Sequence, residues 1–504
     1  MSVVTRIAPS PTGDPHVGTA YIGLFNYVFT RKHGGKFILR IEDTDRERYS
    51  AESEARIFAA LTWLGLTPDE SPDQGGDNGP YRQSERLDIY KQHAYELVDK
   101  GTLYPCFCSE ERLAEMRAEQ KRRKQPLGYD GRCRNLAPDE AKARLDAGEP
   151  HALRLKAPLT GETNFKDELR GLVRFANADI RDGVMLKSDG YPTYHLANVI
   201  DDHLMGVTHV MRAEEWITST PIHILLYEGF GWEIPHFAHL PLLRNPDENK
   251  TKISKRKLNT SLDAYREQGI VAEALLNFLG NMGWSMPDGR EFFGIEDMTE
   301  QFDLSRISLG GPVFDLKKLR FFNARYIREL LSLEDVAERA EPFLKSAGLT
   351  WDDEDYLLDV IDILTPRVET LAEFAEHDYF FREDFGYDAK ARKNLAAGQK
   401  YLEDLEREFA RLDSFDEDSV DDMLRDYVQS QSVGMGKVLQ PLRAALTGVS
   451  NSPGINELVS VLGRERVLRR IGRALTAITA GLPDDKPSAE ENSANKGDKS
   501  SEAA

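Results

Sequence analysis

Two regimes of hydrophobic patterning divide the chain. Before about Lys317, short apolar runs alternate with turns and amphipathic stretches; after it, long charged segments carry a helical periodicity. The opening residues show the first regime. Val3–Ile7 predicts a short strand, Ala8–His16 a proline- and glycine-rich turn, and Thr19–His33 an amphipathic helix. Gly34-Gly35 stops that helix and Phe37–Ile41 predicts the next strand. Strand, loop, helix and strand in this order predict the start of a doubly wound parallel sheet, where ligands bind beyond the carboxyl ends of the strands. Glu42-Asp43-Thr44-Asp45 lies at such an end.

From Tyr104 to Gly183 a basic helix, a glycine- and proline-rich turn and short strands predict an insertion, and Leu186–Trp216 resumes the α/β pattern. Leu333–Ala347, Tyr356–Ala375 and Lys390–Leu412 predict long helices. The expected architecture is an α/β, Rossmann-like doubly wound parallel sheet over residues 1–103 and 185–250, split by an α+β insertion over 104–184. A connecting region over 251–325 leads to an all-α half over 326–482, and the polar stretch 483–504 is expected to be a disordered tail.

Composition narrows the class. A chain of 504 residues is too long for one ordinary core. No apolar stretch approaches the roughly eighteen residues needed to span a bilayer, and Met1–Ile7 lacks the regions of a signal peptide, so the cytoplasm is the expected location. Three cysteines do not make a disulfide framework. The net charge of −20 opposes a nucleic-acid partner until charge is read locally. Arg117–Lys124, Lys317–Arg328 and Arg464–Arg473 are basic runs, and each can equally be a solvated helix face.

Two segments carry candidate chemistry. In Ala8–Thr19, Gly18 lets a nucleotide approach the helix entrance, whose free N–H groups and dipole favour a triphosphate. His16 can donate to phosphate oxygens as charge develops there. Far along the chain, Lys252-Ile253-Ser254-Lys255-Arg256 follows Leu242-Leu243-Arg244 and a polar turn, and its compact cations suit a departing pyrophosphate. An acidic substrate would need fixed cations, for which Arg6 and Arg212 stand at strand ends; Glu42 could meet an ammonium group. Each segment alone is equally consistent with a tight loop, a helix-capping histidine or a surface basic cluster.

Together, His16-Val17-Gly18-Thr19 and Lys252-Ile253-Ser254-Lys255-Arg256 resemble the His-Ile-Gly-His and Lys-Met-Ser-Lys-Ser signatures of class I aminoacyl-tRNA synthetases. Thr19 and Arg256 depart from the ideal in the manner usual in the glutamyl branch. Thr5–Ala20, Phe37–Arg48, Gly190–Pro221, Lys252–Lys257, Ala272–Trp284 and Val433–Gly448 resemble bacterial-type glutamyl-tRNA synthetases in family order. The resemblance implies a monomer that uses ATP with Mg2+ to ligate L-glutamate to tRNA-Glu, with tRNA needed for activation. It implies glutamate contacts from Arg6, Ala8, Ser10, Glu42, Tyr194, Asn198 and Arg212. ATP contacts would come from His16, Gly18, Thr19, Glu215, Trp216, Leu243, Lys252, Ile253 and Lys255.

It further implies that the insertion binds the acceptor arm and that the helical half reads the anticodon, with Arg367 near the last anticodon base; core packing is the expected role of Tyr379-Phe380-Phe381. Cys106-x-Cys108 with Cys133 resembles a zinc site of some members, but Asn135 at the fourth position is a poor ligand, which sets the expectation against zinc. Two alternatives stand beside this reading. One is a nondiscriminating enzyme that also charges tRNA-Gln, and the other a catalytically inactive tRNA-binding paralogue.

Overall fold

The protein is described by a computed structural model over residues 2–253 and 260–481. The expected tail therefore lies outside the described residues, as do Ser254, Lys255 and Arg256. The chain divides into two compact units, residues 1–266 with 272–319, and residues 267–271 with 320–504. Among the described residues no helix is long and apolar enough to cross a membrane.

In the first unit, β1 (Val4–Ile7) pairs in parallel with β2 (Lys36–Leu39), and the helix Val17–Lys32 joins them. That helix buries Ala20, Tyr21, Leu24, Phe25 and Val28, a three-to-four-residue spacing that keeps one face on the sheet. Gly35 follows because a Cβ there would lie 2.0 Å from the Val3 carbonyl oxygen. Thr208 donates from its N–H to the Val4 carbonyl at 3.0 Å, linking β1 to the chain entering β8 (His209–Ala213). β8 runs parallel to β9 (His236–Leu240), with Arg212 opposite His239.

The insertion is less separate than its sequence suggests. β3 (Leu103–Cys106), β4 (Ala152–Leu155) and β7 (Val184–Leu186) form an antiparallel sheet. β5 (Glu162–Asp167) pairs with β6 (Gly171–Ala176) on one side and joins β9 in parallel on the other, Asp167 opposite Phe237. Alternating exposed and buried residues along β5 explain why it can carry a solvated face and still enter this sheet.

The second unit is helical. The helix Ala389–Arg411 buries Leu395, Leu402, Leu405 and Phe409 at alternating steps of seven, three and four residues, against the helices Met435–Thr447 and Ile455–Ala480. The helix expected over Tyr356–Ala375 ends instead at Leu364. Pro366 has no N–H to donate to the Asp362 carbonyl, so the α-helical ladder stops there, and short 3-10 turns at Thr365–Arg367 and Leu371–Glu376 carry the chain onward. Tyr379 and Phe380 are buried, as core packing requires.

Candidate active site

A cavity of about 390 Å3 opens beyond the carboxyl ends of β1 and β8, a size that suits a small-molecule site. Arg6, Ala8 and Ser10 line it from the end of β1 and the loop that follows, and His16, Gly18 and Thr19 from the entrance of the first helix. Glu42 enters after β2, Tyr194 from the start of the helix Tyr194–Leu204, and Arg212, Glu215 and Trp216 from the end of β8. Leu243, Lys252 and Ile253 complete the wall.

Backbone hydrogen bonds tie the first signature segment to the chain that follows the second. Val17 N–H donates to the Thr260 carbonyl at 2.8 Å and Leu262 N–H to the Pro15 carbonyl at 3.0 Å. Ile253 N–H donates to the Leu243 carbonyl at 2.9 Å and Asn245 N–H to the Thr251 carbonyl at 2.7 Å, a hairpin that sets Lys252 at the cavity. Lys252 pairs there with Glu215. His16 caps the helix: its Nδ1 accepts from Gly18 N–H at 2.9 Å, which leaves the ring proton on Nε2. Capping and cavity lining are thus roles of one side chain, and a Cβ on Gly18 would press Nδ1 at 3.1 Å.

The two candidate arginines have different surroundings. Arg6 donates from Nε and Nη2 to Asp202 at 3.1 and 3.2 Å, so its charge is already matched. Arg212 is buried and donates to four neutral acceptors: His239 Nε2 at 3.1 Å, Tyr194 Oη at 3.1 Å, His223 Nδ1 at 3.3 Å and Thr220 Oγ1 at 2.9 Å. Among the described residues it forms no ion pair. A buried guanidinium without a counter-charge is costly unless an anion arrives, and this one faces the cavity. Trp216 lies against Tyr194, ring centroids 4.3 Å apart, and closes the same corner.

Asn198, also expected at the substrate, is not among the lining residues of the cavity but bonds to Arg6, which is. It accepts from Arg6 and Arg40 at 3.1 and 3.0 Å and donates to Asp202 at 3.1 Å. Sequence reasoning missed His239, His223, Thr220 and Asp167. Their positions within strand and helix patterns carried no signal beyond a histidine inside an apolar run.

Arg367, in the second unit, donates to the Ile363 carbonyl at 2.6 Å and pairs with Glu457 at 3.3 Å. The run Arg464–Arg473 is neither a bare solvated face nor an open cationic one. Arg464 donates to the Leu412 carbonyl, Arg466 pairs with Asp352, Arg469 and Arg470 meet Glu383, and Arg473 reaches the Phe385 carbonyl.

The sulfurs of Cys106, Cys108 and Cys133 lie within 4.8 Å of one another, with Cys108 and Cys133 3.6 Å apart. Tetrahedral thiolate ligands of zinc stand about 3.8 Å apart, so this donor set fits. Asn135 is exposed, and an oxygen comes instead from Tyr129, whose Oη is 3.3 Å from Cys106 Sγ and 3.7 Å from Cys108 Sγ.

Residues 2–321 match the family described as tRNA synthetases class I (E and Q), catalytic domain, and residues 335–475 match an anticodon binding domain. A glutamate–tRNA ligase of Thermus thermophilus is 56% identical over 474 residues, covering 94% of this chain and 100% of that protein. One from Fusobacterium nucleatum is 46% identical over 509 residues, covering 95% and 98%. The crystal structure of a glutamate tRNA ligase from Elizabethkingia meningosepticum, in complex with its amino acid, matches with a TM-score of 0.87 at 35% identity over 95% of this chain and 100% of that one. Likeness of this extent, reaching through both units and across the cavity that joins the two signature segments, means that the chain belongs to the glutamate–tRNA ligase family of class I tRNA synthetases.

Proposed function

We propose that this protein uses ATP to join L-glutamate to tRNA-Glu through a glutamyl-adenylate intermediate. One observation carries the reading: a buried cation without a counter-charge, Arg212, shares a cavity with the capped helix entrance and with Lys252. A glutamate carboxylate completes that cation, whereas a neutral amide leaves it unmatched. The α-carboxylate then attacks the α-phosphorus in line and pyrophosphate leaves. A hydroxyl of the terminal adenosine of the tRNA next takes the acyl group and releases AMP. No covalent enzyme intermediate is needed, so rate comes from positioning and charge stabilisation. Mg2+ arriving with ATP offsets phosphate charge.

His16 Nε2–H donates to a phosphate oxygen, and Lys252 exchanges Glu215 for the departing pyrophosphate. Lys252→Ala is expected to lower the charging rate by about 30-fold, roughly 2 kcal/mol, with the glutamate KM little changed. Labelled glutamate, ATP and purified tRNA-Glu test both the activity and this variant; well-folded protein that charges nothing would overturn the function. A parallel lane with tRNA-Gln separates the discriminating enzyme from the nondiscriminating one.

Glu42 gives a pH signature. Burial pushes its carboxyl up from 4.5 to about 7, against the pull of Arg40 and Arg6. The stability from the protonated carboxyl is complete below about pH 4.5 and is lost as pH rises through about 7. The ionised form attracts the substrate ammonium group. The glutamate KM is therefore expected to fall several-fold between about pH 6 and about pH 8, and Glu42→Gln to flatten the profile. An unchanged slope in the variant would remove Glu42 from this role.

A zinc ion would be held by Cys106, Cys108 and Cys133 with Tyr129 as fourth donor, and would supply a structural crosslink. The same four groups also satisfy one another as a metal-free cluster, because Tyr129 Oη accepts from Cys106 Sγ–H and from Cys133 N–H at 2.9 Å. Elemental analysis of protein purified without added metal distinguishes the two.

A further inference from the structure

Arg212 is enclosed by rings whose protons the geometry assigns. Arginine nitrogens only donate, so His239 Nε2, 3.1 Å from Arg212 Nε, must be an unprotonated acceptor. The His239 proton is then on Nδ1, 2.6 Å from Asp167 Oδ2. That carboxylate is fixed in turn: Asp167 Oδ1 accepts from the N–H groups of Leu169 and Arg170 at 3.0 and 3.1 Å, and Oδ2 from His239 N–H at 3.2 Å. On the other side, His223 Nδ1 accepts from Arg212 Nη1 at 3.3 Å, so its proton is on Nε2 and points to His195 Nδ1 at 3.1 Å. Both rings are wholly buried. Burial and then Arg212 push His223 well below the ordinary histidine range, and burial lowers His239 despite the pull of Asp167.

A carboxylate in direct contact would hold Arg212 as firmly, but it would also neutralise it, as Asp202 does for Arg6. Here the anion stands one imidazole away. Four of the five guanidinium N–H groups are fixed by neutral acceptors, and the fifth, on Nη2, meets no acceptor among the described residues. We infer that His239, backed by Asp167, and His223, backed by His195, are positioning residues that orient Arg212 while leaving its charge uncompensated, and that this collar sets the preference of the site for an acid over its amide. The inference rests on the reading of Arg212 as the glutamate-binding cation.

The two rings face Arg212 through different nitrogens, and this gives a test that mere packing does not pass. A glutamine side chain places its amide near the imidazole Nε2 position, and an asparagine near Nδ1. At His239, therefore, His239→Gln keeps the acceptor for Arg212 and His239→Asn loses it. At His223 the order reverses: His223→Asn keeps the acceptor and His223→Gln loses it.

Steady-state charging of tRNA-Glu by the four full-length variants, with glutamate and ATP varied separately and glutamine as competitor, reads the collar. The glutamate KM is expected to stay within about 5-fold of wild type in His239→Gln and His223→Asn. It should rise by about 30-fold or more in His239→Asn and His223→Gln, with weaker discrimination against glutamine and an unchanged ATP KM. The same residue order at both positions, or a parallel rise in the ATP KM, would overturn the inference. If one pair does not fold, the ranking within the other decides. Wild-type protein that fails to charge glutamate would instead refute the function itself, and the two failures are distinct.

Discussion

Arg212→Gln is expected to raise the glutamate KM by about 1000-fold, roughly 4 kcal/mol, and to leave the ATP KM within a few-fold of wild type. The size follows from burial. At a solvated rim a lost arginine–carboxylate pair costs little, because water replaces the partner. In this cavity the incoming carboxylate would be desolvated against an amide, and the neutral collar has no charge to substitute. Gln retains part of the volume, so a general loosening of the pocket is a smaller contribution. Titrating each substrate separately in the charging reaction checks the result. Equal rises in both KM values would mean that the change reaches the whole cavity, and a rise below about 5-fold would mean that Arg6 alone recognises the acid.

The second large effect is on stability. Asp202 is fully buried and accepts from Arg6 Nε and Nη2, from Arg40 Nη1 at 2.7 Å and from Asn198. Burial alone would raise its pKa, but Arg6 and Arg40 hold it below the ordinary carboxylate range. Its neighbour Asp201, taken up by Arg86, Gln83 and Tyr90, is raised instead because burial prevails there. Asp202→Asn removes one negative charge from beneath two buried guanidiniums. The expected cost is about 3–5 kcal/mol, a fall in melting temperature of roughly 10 °C. Asp69→Asn, which breaks the partly exposed pair with Arg31 at 2.7 Å, is expected to cost less than about 1 kcal/mol and serves as the control. Equal shifts in the two variants, read by thermal denaturation, would show that the cluster is not a stabilising ionic core.

The parts of this molecule that were legible in the chain are those with a local cause. The strand–loop–helix start and the helical half follow from periodicity and turn residues, both signature segments are legible through their resemblance to a family, and the cavity gathers side chains from them at strand ends. Pro366 is as local a signal as these, and it ends the helix that periodicity alone extends over Tyr356–Ala375. The remaining differences are tertiary. Nothing local distinguishes Arg6, which is matched by an aspartate 196 residues away, from Arg212, which is not. Asn198 sits one helical turn before Asp202 and is tied into the same ionic cluster, outside the lining of the cavity. The collar histidines come from β9 and from the helix Thr220–Phe230, and their common neighbour emerges only when β8 and β9 align. Tyr129 likewise joins the cysteines by folding.

The register of β5 against β9 limits how this enzyme can be recombined. The insertion invites treatment as a cassette, since it carries its own antiparallel sheet and could be exchanged among relatives to alter tRNA choice. Yet its strand ends in Asp167, which accepts a hydrogen bond from the ring N–H of His239, the neighbour of Arg212. A chimaera cut at the boundaries of the insertion would transplant part of the support of Arg212 together with the outer surface of the insertion. A donor lacking an acceptor at that register would leave a buried N–H unsatisfied, at about 1–3 kcal/mol, inside a site it was never meant to alter. The surroundings of Arg212 and the inserted region are thus covalently continuous through one strand, and a clean splice must fall after Asp167 on one side or carry the whole strand on the other.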